Sequence, residues 1–221
     1  LFGGLESICR NVNHKMPNLR FFEFGNCYHF SPEKKNDEDP IKAYTEEMHL
    51  GMWLTGKRVE GSWTHADEQS SFYELKAYVM NIFTRLGVNP SIVVAEKSDN
   101  NVFGKALALK ARSGKVLCEM GTVSHKLLKK VDIDQDVFYA DINWNNLMRA
   151  IKKNETLYHD ISKFPSVSRD LALLIDKSVE FEQIEQIARQ TEKKLLKSVE
   201  LFDVYEGKNL PEGKKSYAVN F

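Results

Sequence analysis

From Tyr158 to Phe221 the apolar residues change period twice, giving an order that few folds accommodate. Leu171, Leu173 and Ile175 alternate, which predicts a strand over Ser168–Asp176. Phe181, Ile184, Ala188, Thr191 and Leu195 fall at helical spacing and predict a helix over Glu180–Lys194. Lys197–Glu206 and Lys215–Phe221 return to alternation as two further strands. Strand, helix, strand, strand is most of a split β-α-β unit, which needs one more helix and strand. The last strand runs to Phe221 and leaves the open sheet edge that a stable domain covers. The sequence is therefore expected to be a piece of a longer protein. Its start at Leu1, without initiator Met or signal-peptide features, gives the same expectation.

The preceding residues mix helix with longer strands. Leu5, Ile8, Cys9 and Val12 predict a short helix ending near Asn13. Arg20–Phe24 reads as a strand, with a second short piece after Gly25-Asn26. Ser31–Tyr44 reads as a solvated loop, and Glu47–Arg58 as a strand with Met48, Leu50, Met52 and Leu54 on one face. A helix over 71–87 follows, capped by Ser70 or Ser71, buried along Phe72, Leu75, Val79, Ile82, Phe83 and Leu86, and stopped by Gly87. Strands are predicted at Ser91–Ala95, Ala106–Ala111, Lys115–Val123 and Val137–Ile142, with a hairpin turn at 112–115 and a helix from Trp144 to Lys152. The fold class is α+β: a first domain over 1–152, a polar linker over 153–157, and a second domain over 158–221.

Composition narrows the functional classes. The 221 residues carry 31 Lys and Arg against 31 Asp and Glu, so a surface basic throughout is excluded, though a local basic patch is not. No apolar run is long enough for a membrane helix. The three cysteines stand far apart and the six histidines are scattered, so reduced thiols and no metal site are expected.

Three ordered motifs carry a resemblance: Phe164-Pro165-x-x-Ser168-Arg169-Asp170-Leu171-Ala172, Leu201-Phe202-Asp203-Val204-Tyr205-x-Gly207, and Pro211-x-Gly213-Lys214-Lys215-Ser216-Tyr217. Together they resemble the ferredoxin-fold anticodon-binding domain that ends the beta chain of bacterial phenylalanyl-tRNA synthetases, and also the single-chain mitochondrial enzyme. That family's last helix and strand are absent here. The first domain resembles the family's noncatalytic class II synthetase-like module, through Phe22-Glu23-Phe24-Gly25, Gly121-Thr122-Val123-Ser124-His125 and Val137-Phe138-Tyr139-Ala140-Asp141-Ile142. The resemblance implies a C-terminal fragment of a cytoplasmic ligase subunit. Its implied partners are an alpha chain in an alpha2-beta2 heterotetramer and tRNA(Phe). ATP and Mg would be used by the holoenzyme, with no cofactor in this fragment.

No catalytic residue is expected in the chain. Class II sites hold ATP with an arginine followed two positions later by an acidic residue, and with a second arginine on a Gly-rich strand, because fixed positive charge counters the phosphates. Here Glu23 follows Arg20 by three positions, which puts the two side chains on opposite faces of a strand, and the Gly-rich strand has no counterpart. A single-chain synthetase would need both motifs. A stand-alone RNA-binding or protein-interaction module built on the same folds is the other alternative.

Strand alternation assigns the faces of the second domain. Leu171, Leu173 and Ile175, Phe202 and Val204, and Tyr217, Val219 and Phe221 are predicted to face the helix. Ser168, Asp170, Ala172 and Leu174, Asp203 and Tyr205, and Ser216, Ala218 and Asn220 then form an open face. The expected anticodon-binding set is Ser168, Ala172, Tyr205 and Ser216 on that face, with Lys208, Lys214 and Lys215 reaching phosphates from the hairpin loop. The alternative is that Tyr205 only covers apolar sheet surface and the lysines are solvated. Arg169 and Asp170 read either as a structural ion pair at the strand start or as an RNA contact.

Overall fold

A computed structural model describes residues 1–36, 39–152, 158, 160 and 163–221. The chain divides into two compact units, Leu1–Thr156 and Leu157–Phe221. The expected linker at 153–157 lies outside the described residues.

The first unit is a six-stranded sheet in the order β1-β2-β8-β7-β6-β5, every neighbouring pair antiparallel. Its strands are β1 (Leu19–Phe30), β2 (Tyr44–Thr55), β5 (Val93–Lys97), β6 (Phe103–Ala111), β7 (Val116–Val123) and β8 (Val137–Asn143). A two-stranded ribbon of β3 (Lys57–Val59) and β4 (Glu68–Gln69) follows β2. The helices are α1 (Phe2–Asn13), α2 (Phe72–Arg85), α3 (His125–Lys130) and α4 (Trp144–Ile151).

Period-2 alternation sends β2 residues to two separate cores. Leu50 and Leu54 pack with Leu75, Val79 and Phe83 of α2 and Leu147 of α4. Trp53, of opposite parity, packs with Leu5 and Ile8 of α1, Leu128 of α3, and Tyr139. Each fully buried Leu or Phe contributes about 1.5–3 kcal/mol of transfer free energy, so the two layers fix β2 in register from both sides. Helix α2 starts where Ser71, rather than Ser70, accepts the Glu74 amide at 3.3 Å.

Several strand boundaries differ from the sequence reading, two of them for a visible reason. Gly25-Asn26 does not interrupt β1, which stays paired with β2 from Leu19 to Phe30; long-range pairing overrides the local turn propensity. β2 ends at Thr55 because Gly56 takes φ +76°, and a Cβ there would lie 2.4 Å from the Pro17 carbonyl oxygen.

The second unit is a three-stranded antiparallel sheet, order β10-β11-β9, with β9 (Asp170–Asp176), β10 (Glu200–Tyr205) and β11 (Lys214–Asn220). Helix α5 (Phe181–Thr191) begins in a capping box between Glu180 and Gln183. Its Phe181, Ile184 and Ala188 pack on Tyr217, Val219, Leu173 and Ile175. The prediction for Phe202 is corrected. A bulge lies between Leu201 and Asp203, so Leu201 pairs with Val219 on the helix side, and Phe202 is 60% exposed.

Candidate nucleic-acid interface

Residues directly opposite each other on paired strands share a face. Tyr205 pairs with Ser216, and Ser216 with Leu174; one row on, Asp203 pairs with Ala218, and Ala218 with Ala172. The structure therefore brings Ala172, Tyr205 and Ser216 together on the face away from α5, with Leu174 completing the row. Tyr205 is 43% exposed and Leu174 55% exposed, so the row presents an open apolar platform with a hydroxyl in its middle. The next row, Glu200–Asn220–Asp170, ends the face in polar groups.

Asn220 Nδ2 donates to both Ser168 Oγ and Asp170 Oδ1. Asp170 thus takes a structural role, with Asn220 and not Arg169 as its partner. The Arg169 amide instead donates to the Phe221 carbonyl at 2.9 Å, holding the strand start closed.

The three lysines separate. Lys208 is exposed in the turn between β10 and β11. Lys214 and Lys215 are strand residues, which corrects their placement in the loop. Lys214 Nζ lies 2.7 Å from Asp176. Lys215 is opposite Ile175 on the helix side, 7% exposed, with Nζ 4.5 Å from the centre of the Tyr217 ring. Alternation alone places Lys215 there, a face assignment the sequence reading did not carry to this residue.

One contributor was missed in the sequence. A Cβ on Gly207 would lie 1.9 Å from Tyr205 Oη and 2.0 Å from Cζ, so the ring lies against the backbone two residues on. The Tyr-x-Gly spacing was the available signal.

The first unit has a cavity of about 350 Å³ on the α1 side of its sheet, lined in part by Glu23, His49, Trp53, Glu119, Tyr139 and Asp141. His49 Nδ1 is 2.7 Å from Asp141 Oδ1, and Asn143 Nδ2 donates to Glu47 at 2.8 Å. Burial, followed by the Asp141 charge, pushes the Tyr139 hydroxyl far above its ordinary pKa and also raises the Cys27 thiol. Arg20 turns to the opposite face and donates from Nε to Glu74 Oε1 of α2 at 3.2 Å. A cavity walled by Glu23, Glu119 and Asp141 without that guanidinium does not fit the phosphates of ATP.

Against this geometry, the profile of the phenylalanyl tRNA synthetase beta chain CLM domain matches residues 1–144. The chain belongs to the phenylalanyl-tRNA synthetase beta chain family. The ferredoxin-fold anticodon binding domain matches residues 162–221. A phenylalanine–tRNA ligase beta subunit of Bacteroides fragilis is 59% identical over 222 residues, covering 100% of this chain and 27% of the relative. That of Porphyromonas gingivalis is 48% identical, with the same coverage. The Streptococcus mutans subunit is 34% identical over 98% of this chain and 26% of its own length. The chain thus spans about a quarter of the curated relatives it matches, and single relatives run through both units, which favours a subunit over a stand-alone module. Among solved structures, a pyrrolysyl-tRNA synthetase from Desulfitobacterium hafniense overlays 67% of this chain and 47% of its own at 14% identity, with a TM-score of 0.47.

Proposed function

We propose that this chain is the part of a phenylalanine–tRNA ligase beta subunit that recognises the anticodon of tRNA(Phe) and supports an alpha subunit that performs the chemistry. The observation that carries the reading is the outward row of Tyr205, Ser216 and Leu174 with Ala172 beside it, within a segment matching an anticodon-binding family. An anticodon loop offers splayed bases, and single-stranded RNA is read by stacking and by hydrogen bonds to base edges. Tyr205 supplies the stacking ring, Ser216 a hydroxyl partner, and Ala172 the space for a base to approach. Lys208 is the lysine free to meet a phosphate; Ser168, Lys214 and Lys215 hold the sheet. In this reading the assembly is an alpha2-beta2 heterotetramer of the cytoplasm, and ATP and Mg act on the alpha subunit.

In the complete ligase, Tyr205→Ala is expected to lower kcat/KM for charging tRNA(Phe) by about 5- to 150-fold, the loss of one base stack of about 1–3 kcal/mol. Phenylalanine-dependent pyrophosphate exchange should stay at the wild-type rate. Equal loss in both assays would overturn the assignment.

A further inference from the structure

Gly207 is a glycine that its own backbone does not require. It lies outside the left-handed region that holds Gly56, Gly87, Gly114 and Gly213, so an L side chain would fit its φ. What such a side chain would meet is a single residue. The three heavy atoms nearest to a Cβ on Gly207 are Oη, Cζ and Cε2 of Tyr205, all within 2.5 Å of it. The glycine is therefore needed by the ring and not by the turn.

The sheet holds one side of this contact more firmly than the other. Tyr205 is the last residue of β10 and pairs with Ser216, which sets its Cα–Cβ bond on the outward face. Its ring can still swing about two side-chain torsions. Gly207 opens the turn after the strand, where its carbonyl accepts the Leu210 amide at 3.2 Å. A methyl group at 207 would thus be accommodated by the phenol end of Tyr205 swinging away, with the turn left in place. The contact is made within the end of one strand and its turn, so no other part of the protein is needed to form it.

A ring already resting on backbone is held in one tilt before a base arrives, and it loses little freedom when it stacks. Displaced from that seat, the ring leaves the row it forms with Ser216 and Leu174. We propose that Gly207 is a positioning residue that seats the Tyr205 ring in the tilt required to stack on an RNA base. The inference rests on the anticodon reading above and adds to it the feature that orients the stacking ring.

The test is a double-mutant cycle in the complete ligase, alpha chain with full-length beta chain. Gly207→Ala is expected to lower kcat/KM for charging tRNA(Phe) by about 5-fold or more, up to the loss produced by Tyr205→Ala. In the Tyr205→Ala background the same change should have no further effect, because no ring is left to displace. With 3-fluorotyrosine in place of Tyr205, the fluorine resonance of the beta chain should shift on Gly207→Ala. The melting temperature of the beta chain should not fall, since the backbone accepts Ala and Ala restricts the unfolded chain. Charging at the wild-type rate by Gly207→Ala, an unmoved fluorine resonance, or a loss of equal size in both backgrounds would overturn the proposal. So would a lowered melting temperature that Tyr205→Ala does not restore, which would assign Gly207 to the turn alone. Normal charging by Tyr205→Ala itself would overturn the anticodon reading, and this inference with it.

Discussion

Glu74 is the charged residue on which the α2 end of the first unit depends. It is 8% exposed, and its Oε1 receives both Arg20 Nε at 3.2 Å and the Tyr78 hydroxyl at 3.0 Å. Removing the guanidinium leaves a buried carboxylate with one donor fewer, a loss of about 1–3 kcal/mol in such settings. Arg20→Ala should therefore lower the midpoint of urea unfolding while leaving phenylalanyl-adenylate formation by the complete ligase unchanged. A large drop in adenylate formation would return Arg20 to a catalytic role. The faces of Arg20 and Glu23 were legible in the sequence, because a three-residue offset on any strand gives opposite faces. Glu74 was not, since a carboxylate beside a helix N-cap is an ordinary exposed residue until a distant arginine covers it.

At the scale of elements, alternation and helical spacing located the strands of both sheets and helices α1, α2, α4 and α5, while the six-residue α3 is too short to show a period, and other errors came where pairing partners decide. Gly25-Asn26 reads as a turn only until β2 is laid along it; the bulge at Phe202 has no local mark at all. The β3–β4 ribbon was absent from the sequence reading because its strands are short and its cohesion lies in side chains. That cohesion has a pH signature. The hydrogen bond from Lys57, then that from the Gly61 amide, lowers the Asp67 pKa, and the bond to Asp67 raises that of Lys57. A depressed carboxylate contributes stability above its unfolded pKa and loses it as pH falls through the folded value. A raised lysine contributes below its unfolded pKa and loses it as pH rises through the folded value. The ribbon is thus held through the neutral range and loosens toward both extremes. The Gly61 amide chemical shift should titrate with a midpoint below the ordinary aspartate value, and Lys57→Met should move that midpoint up. In α2, Phe83→Ala should cost about 3–5 kcal/mol in thermal or urea unfolding, as a 2%-exposed ring leaves a cavity between helix and sheet.

For the molecule as a whole, balanced charge limits how RNA can be held. With 31 basic and 31 acidic residues, the chain has no net field to draw in a polyanion. The 221-residue chain alone should bind tRNA(Phe) only weakly, with a dissociation constant of about 10⁻⁶ M or higher at physiological salt, read by fluorescence anisotropy. A nanomolar complex would show that the outward row of the small sheet is not the main contact. The family was legible from three short motifs, and the paired faces, Phe202 apart, from strand alternation; the surfaces that meet other molecules were less so, because they depend on which charges are already partnered. The bulge in β10 bears on how the gene can change. Losing the codon for Phe202 would join Leu201 directly to Asp203, giving uninterrupted alternation with Val219, Ala218, Tyr217 and Ser216 and keeping Tyr205 on its face. Losing the codon for Val204 instead would give Tyr205 the partner of its neighbour and turn it toward the helix. Single-residue deletions two positions apart should thus differ sharply, one tolerated and one not.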